Sequence, residues 1–193
     1  MRVKSKWHKK GPKTVEDIAA TAAYIIFRLA RSTVDGMYGK GFNFGNQQAL
    51  YDAVTELTIF MMQVAASLFF RHLTAEEFQQ FIAVMAGRTS ETLIENQSDE
   101  GVEQRSAAAV TSIFNRRFAA YAELTFTDGV PGYAALRYLG TLLEEAMKAG
   151  NSSWVAEQVV EVEAPQMSQQ LLKALHDLAQ QYQDGKGDAA SGE

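Results

Sequence analysis

The stretch LTIFMMQVAASLFF, residues 57–70, limits the fold of this chain more than any other segment. A helix that is apolar around most of its circumference has no face to give to water, so other elements must enclose it on several sides. A second run, IAATAAYIIF at 18–27, makes a similar demand. Both runs are shorter than the roughly 20 residues that cross a bilayer. They end at Arg28 and Arg71, and both read as core helices rather than transmembrane segments.

Around these two runs the apolar spacing is helical throughout. Thr14 with Asp17 three residues on is a close variant of the capping box, and Val15, Ile18, Ala22, Ile25, Ile26 and Leu29 follow on one helical face. Asp35-Gly36 is the expected end of this first helix, because glycine tolerates the left-handed C′ conformation. The second helix is expected over about 46–72. Thr74 and Glu77 start a third that runs to about Asn96, and Ser98 or Asp99 caps a fourth that runs to about Leu124. The turn TDGVPG at 127–132 breaks the chain, with Pro131 suited to the first position of a fifth helix ending at Gly150-Asn151. Ser152 or Ser153 caps a short sixth, and Pro165 opens a seventh that carries Leu171, Leu172, Leu175, Leu178 and Tyr182. No strand alternation competes with this reading. The expected architecture is all-α: a single-domain bundle of six to seven helices over 14–183, between a basic N-terminal tail (1–13) and a disordered C-terminal tail (184–193).

Composition narrows the chemistry. The chain has no cysteine, which removes disulfides, thiolate metal sites, iron–sulfur clusters and a cysteine nucleophile, and suits a reducing, cytoplasmic setting. The three histidines, His8, His72 and His176, are preceded at i−3 by Ser5, Phe69 and Lys173. The E-x-x-H pattern of di-iron bundles is therefore absent, as are H-E-x-x-H and zinc-finger spacings. No metal and no cofactor is expected. There is no G-x-S-x-G elbow, and the glycine-rich segment GMYGKGFNFGN, 36–46, lacks the lysine and hydroxyl spacing of a phosphate loop. It reads as a helix connector whose Tyr38, Phe42 and Phe44 either tuck onto the bundle end or dock a partner.

Charge is segregated. Residues 1–13 carry Arg2, Lys4, Lys6, Lys9, Lys10 and Lys13 and no acid, while the whole chain is at −5. The acidic body repels nucleic acid and anionic membrane over most of its surface. Binding of either kind would fall to Lys4, Lys6, Trp7, Lys9, Lys10 and Lys13, whose mix of cations and one large aromatic suits single-stranded nucleic acid, an anionic membrane, or an acidic protein surface, including the chain's own body. The N-terminus does not read as a secretory signal, since Glu16 and Asp17 follow where an uncharged run belongs.

Polar residues inside the apolar helices supply the remaining candidates. Asp52 and Glu56 lie one turn apart on helix two, and Arg28 and Arg31 interrupt helix one. An antiparallel hairpin counted back from the connector sets Arg31 by Asp52 and Arg28 by Glu56, a partly buried ion-pair ladder. Arg105, Arg116 and Arg117 read as a solvated face, and no basic helix pair suits a DNA groove. The expected function is a non-enzymatic adaptor, accessory or regulatory protein acting through protein–protein contacts or self-association. The alternative is a small-molecule-binding bundle or cryptic enzyme, its pocket lined by Met61, Met62 and Met85 with Glu56 or Arg28 as polar anchor.

Overall fold

The computed structural model describes residues 13–147 and 154–190, without the side chains of 98–100 and 186–190. The tail candidates Lys4, Lys6, Trp7, Lys9 and Lys10 lie outside the described residues, as do the caps proposed at Ser152 and Ser153 and residues 191–193; the rest of the expected C-terminal tail, 184–190, continues α7 as helix instead of ending it at 183. The chain is an all-α bundle: α1 (Val15–Gly39), α2 (Gln47–Phe69), α3 (Ala75–Glu100), α4 (Ala107–Ala122), α5 (Tyr133–Met147), α6 (Trp154–Gln158) and α7 (Ala164–Ala190). The last two are joined without a break by a π-helical turn, Val159–Glu163.

The axis of the bundle is α2. Its residues from Ala53 to Met62 are all buried, and α1, α3, α4, α5 and α7 all pack against it. At 23 residues it is longer than its apolar run, and by length and composition alone it reaches what a bilayer crossing needs; 83% of that stretch is enclosed by the rest of the protein. Asn46 caps its start, its side chain accepting from the Ala49 amide at 2.9 Å. The capping box at Thr14 forms as its residues predict, the Asp17 amide donating to Thr14 Oγ1 at 3.1 Å and the Thr14 amide to Asp17 at 3.2 Å. Thr74 and Glu77 repeat the arrangement at α3.

Three further boundaries differ from the sequence reading. Helix α1 continues through Gly36 to Gly39, because Met37 is fully buried and adds one more turn to the apolar face. Helix α3 continues through Ser98 and Asp99, and α4 starts only at Ala107, capped by Ser106 rather than by either of them. A left-handed Gly101 turns the chain between the two helices. Pro131 does not open α5. It sits in β2 (Val130–Pro131), paired antiparallel with β1 (Phe126–Thr127). The turn residues Asp128 and Gly129 have φ of 51° and 82°, the left-handed pair that a two-residue hairpin requires. This small hairpin packs on α2, with Gly129 so close that a Cβ there would push into the end of the Leu172 side chain and lie 3.1 Å from the Val64 carbonyl oxygen.

The helices run so that two ends of the bundle can be told apart. At one end Gln80 on α3 reaches Glu16 on α1 (3.2 Å), Tyr182 on α7 donates to Glu77 (2.8 Å), and Arg71, just past α2, pairs with Asp128 of the hairpin (2.8 Å). The starts of α1 and α3, the finish of α2, the hairpin and the C-terminal part of α7 therefore meet there. At the other end the α1–α2 connector packs on α6, with Phe42 edge-on to Trp154 at 4.8 Å.

Candidate functional site

The carboxylates of α2 do form a ladder, but not with α1. Asp52 accepts from Arg105 at 2.6 Å, and Glu56 accepts two-sidedly from Arg117, whose Nε lies 2.9 and 3.0 Å from its two oxygens and whose Nη2 lies 2.6 Å from one. The cations thus come from the loop just before α4 and from α4 itself, from residues that read as solvated surface. Arg28 is exposed and stacks over Tyr24, with its guanidinium 5.7 Å from the ring and a 3.2 Å hydrogen bond to the hydroxyl. Arg31 is half-buried on the same helix. The hairpin count fails because α1 spends its apolar face, Ile18, Ala22, Ile26, Ala30 and Val34, on the core, which turns Tyr24 and Arg28 outward, and because α1 packs most broadly on α3.

The Glu56–Arg117 pair is the more enclosed rung, its side chains only 11% and 16% exposed. Tyr138 of α5 accepts a long hydrogen bond from Arg117 Nη1 (3.4 Å), and the Tyr121 ring stacks edge-on to Tyr138 at 5.0 Å. Burial works against the guanidinium charge of Arg117, yet the hydrogen bonds and charge of Glu56 outweigh it, so Arg117 holds its proton more tightly than a free arginine. The Tyr121 hydroxyl is fully buried and has no hydrogen-bond partner among the described residues. Its pKa is pushed well above the ordinary value of 10.0, first by burial and then by the negative charge of Glu56. Both oxygens of Glu56 are engaged, so the group is closed on itself and offers no free carboxylate as a general base.

The outer rung borders a cleft of about 210 Å³ at the start of α2, lined by Phe44, Asn46, Gln48, Ala49, Asp52 and Met147. Gln48 ties it together, donating to Asp52 at 2.9 Å and accepting from the Glu103 amide at 2.9 Å. Gln97 receives the Arg105 amide on the other side. A third pair braces the connector: Lys40 Nζ sits 2.7 and 2.8 Å from the two oxygens of Glu163, whose side chain is 6% exposed at the end of the π turn.

Of the connector aromatics, Phe42 and Phe44 are buried and only Tyr38 projects into solvent. Met61, Met62 and Met85 are fully buried core. Among the described residues no three His, Asp or Glu side chains converge closely enough to hold a metal ion. His72 lies 3.0 Å from Gln183 and edge-on to Phe69.

The sequence reading passed over the surface at the hairpin end. Phe70 closes the apolar run of α2 and reads as core, yet it is 66% exposed, touching Phe78 edge-on at 5.3 Å. Val130 on the hairpin and Tyr133 at the start of α5 are 57% and 68% exposed. The one legible signal is Arg71, the first charge after the run, which marks where α2 leaves the core.

No known protein family, curated protein or solved structure matches the chain.

Proposed function

We propose that this chain is a non-enzymatic adaptor or accessory protein that acts in the cytoplasm through contacts made by its surface, the hairpin end first among them. The observation that carries this reading is the contrast between interior and surface. The buried polar groups best placed for chemistry, Glu56 and Arg117, satisfy each other. Large apolar side chains, Phe70, Val130 and Tyr133, meanwhile stand in water at one end. Single exposed apolar residues are ordinary, whereas several grouped on one end are a feature of interaction surfaces. Aromatic anchors of this kind contribute disproportionately at interfaces. The other reading, a small-molecule bundle or cryptic enzyme, has less support: Met61, Met62 and Met85 are packed core, Arg28 faces outward, and Glu56 is occupied by Arg117.

The test is a pull-down from lysate with the chain beside its Phe70→Ser and Tyr133→Ser variants, paired with light scattering of the pure protein. The expected result is a partner, or a second copy, retained in stoichiometric amount and lost with either substitution. Equal retention by all three proteins, or a metabolite that raises the melting temperature of all three alike, would overturn the proposal.

A further inference from the structure

We propose that residues 102–113, the loop before α4 and its first turns, form a strap that opens independently of the bundle and is latched by the two α2 residues that also wall the cleft, Gln48 and Asp52.

The strap is held to the core by little apolar contact. From Val102 to Ile113 only Val102 and Val110 are buried, while Ala107, Ala108, Ala109, Thr111 and Ser112 all face water. Most helical stability in a protein comes from packing an apolar face, and two valines make a narrow one. The remaining attachments are polar. The Glu103 amide donates to Gln48 Oε1 at 2.9 Å, the Arg105 amide to Gln97 Oε1, and Arg105 Nη2 to Asp52 Oδ1 at 2.6 Å. The Arg105 and Asp52 side chains are 23% and 30% exposed, so water already reaches the latch.

Fixed points lie on either side. Gly101, at φ 65°, turns the chain just before the strap. After it, Phe114 is buried, the Glu56–Arg117 pair is enclosed, and Tyr121 packs edge-on to Phe60 and Tyr138. The second half of α4 is anchored where the first is not. Beneath the latch, Gln97 is fully buried and its Nε2 has no partner among the described residues. A buried donor without an acceptor works against the closed position, and lifting Arg105 away returns that amide to water.

The latch joins the strap to the cleft. Gln48 Nε2 donates at 2.9 Å to Asp52 Oδ1, the same oxygen that receives Arg105. Both side chains line the cleft beside Phe44 and Met147. The bonds that hold Glu103 and Arg105 thus run through one linked pair of side chains, and a change at either member loosens both attachments. The position of the strap follows the state of the cleft wall.

Native-state hydrogen exchange on the full chain, read residue by residue by NMR, tests this. Once lifted, the first turns of α4 are too short to persist as an isolated helix, so the amides of Glu103, Arg105 and Val110–Ile113 exchange. They should do so at least about tenfold faster than those of Phe118–Tyr121 on the same helix, through a sub-global opening. Gln48→Ala and Asp52→Asn should each speed strap exchange by about five- to tenfold, the worth of one partly exposed latch bond. Neither should change exchange at Phe118–Tyr121 or in α2 from Thr58 to Ala65. Both replace partly exposed side chains on the cleft wall and leave the core side chains in place. Ordinary fraying of a helix start also produces a gradient, but it is indifferent to side chains on another helix. A gradient that neither variant moves therefore overturns the proposal. Uniform exchange from Glu103 to Tyr121 overturns it too, as does an acceleration that spreads equally to Tyr121 and α2.

Discussion

Separating Glu56 from Arg117 should be among the most damaging single changes available outside the apolar core. The carboxylate loses three hydrogen bonds to the guanidinium, at 2.6, 2.9 and 3.0 Å, from a site where both side chains are mostly enclosed. Removing one partner of a buried pair costs about 3–5 kcal/mol, because the survivor is left as an uncompensated buried charge. The residual exposure of Arg117 lets some water reach it, so the lower end, about 3 kcal/mol, is expected for Glu56→Leu. Arg117→Met should cost a similar amount, about 3 kcal/mol, by stranding Glu56. Replacing both, as Glu56→Leu with Arg117→Met, removes the two desolvation penalties together and should cost no more than about 1–2 kcal/mol. The shortfall from additivity, several kcal/mol, is the coupling that a double-mutant cycle isolates. Urea titration monitored by circular dichroism measures all four proteins, with unchanged m-values required for the comparison. Single variants that each cost under about 1 kcal/mol and add in the double would mean that the pair is screened as a surface bridge is, and the reasoning would fail.

Four other outcomes follow from the same packing. Tyr121→Phe should stabilise the protein by about 1 kcal/mol, since it deletes a buried hydroxyl that has no partner among the described residues; thermal and urea melts decide it. The raised pKa of Tyr121 means that the fold favours the neutral phenol. Its share of stability is therefore intact below the unfolded value near 10 and is lost as pH climbs above that value toward the higher folded pKa, by at most about 1.4 kcal/mol per pH unit. The wild type should accordingly lose stability faster than Tyr121→Phe above pH 10, and parallel curves would contradict the burial argument. Gly129→Ala should cost about 2–4 kcal/mol, combining left-handed strain at φ 82° with a methyl driven into Leu172 and to 3.1 Å from the Val64 carbonyl oxygen; a change below about 1 kcal/mol in a urea melt would place the hairpin elsewhere. Lys40→Met should strand the buried Glu163 carboxylate and cost about 2–3 kcal/mol. Faster hydrogen exchange at residues 40–46 is the expected local sign, and exchange unchanged there would show that the connector does not depend on the pair.

The order of helices was readable because it is written in local terms. Thr14 and Asp17 cap α1 through bonds three residues apart, and Thr74 and Glu77 act over an equally short span at α3, whereas α4 is capped by Ser106 and not by the expected Ser98 or Asp99. The enclosure of α2 was equally legible, since a helix with no polar face has nowhere to go but inside. Asp52 and Glu56 stood out for the same reason, as acids on the most apolar helix. What no spacing could reveal was their partners. Arg105 and Arg117 are 53 and 61 residues away from them, and which helix crosses that stripe of α2 depends on how all the others pack. Arg28 and Arg117 look alike in sequence, each a cation on an amphipathic helix. Only the rotation of α1 toward the core and the passage of α4 over α2 turn one outward against Tyr24 and close the other on Glu56. Phe70 makes the same point for the surface. Its apolar run demands burial to the end, yet burial stops at Phe69, the last residue of α2, and the run outlasts the core by one residue, because where a core ends is a property of the neighbours that enclose it. Local bonds and periodicity are encoded over a few residues and survive reading one segment at a time; the pairing of charges and the edge of the core arise only when every helix is in place.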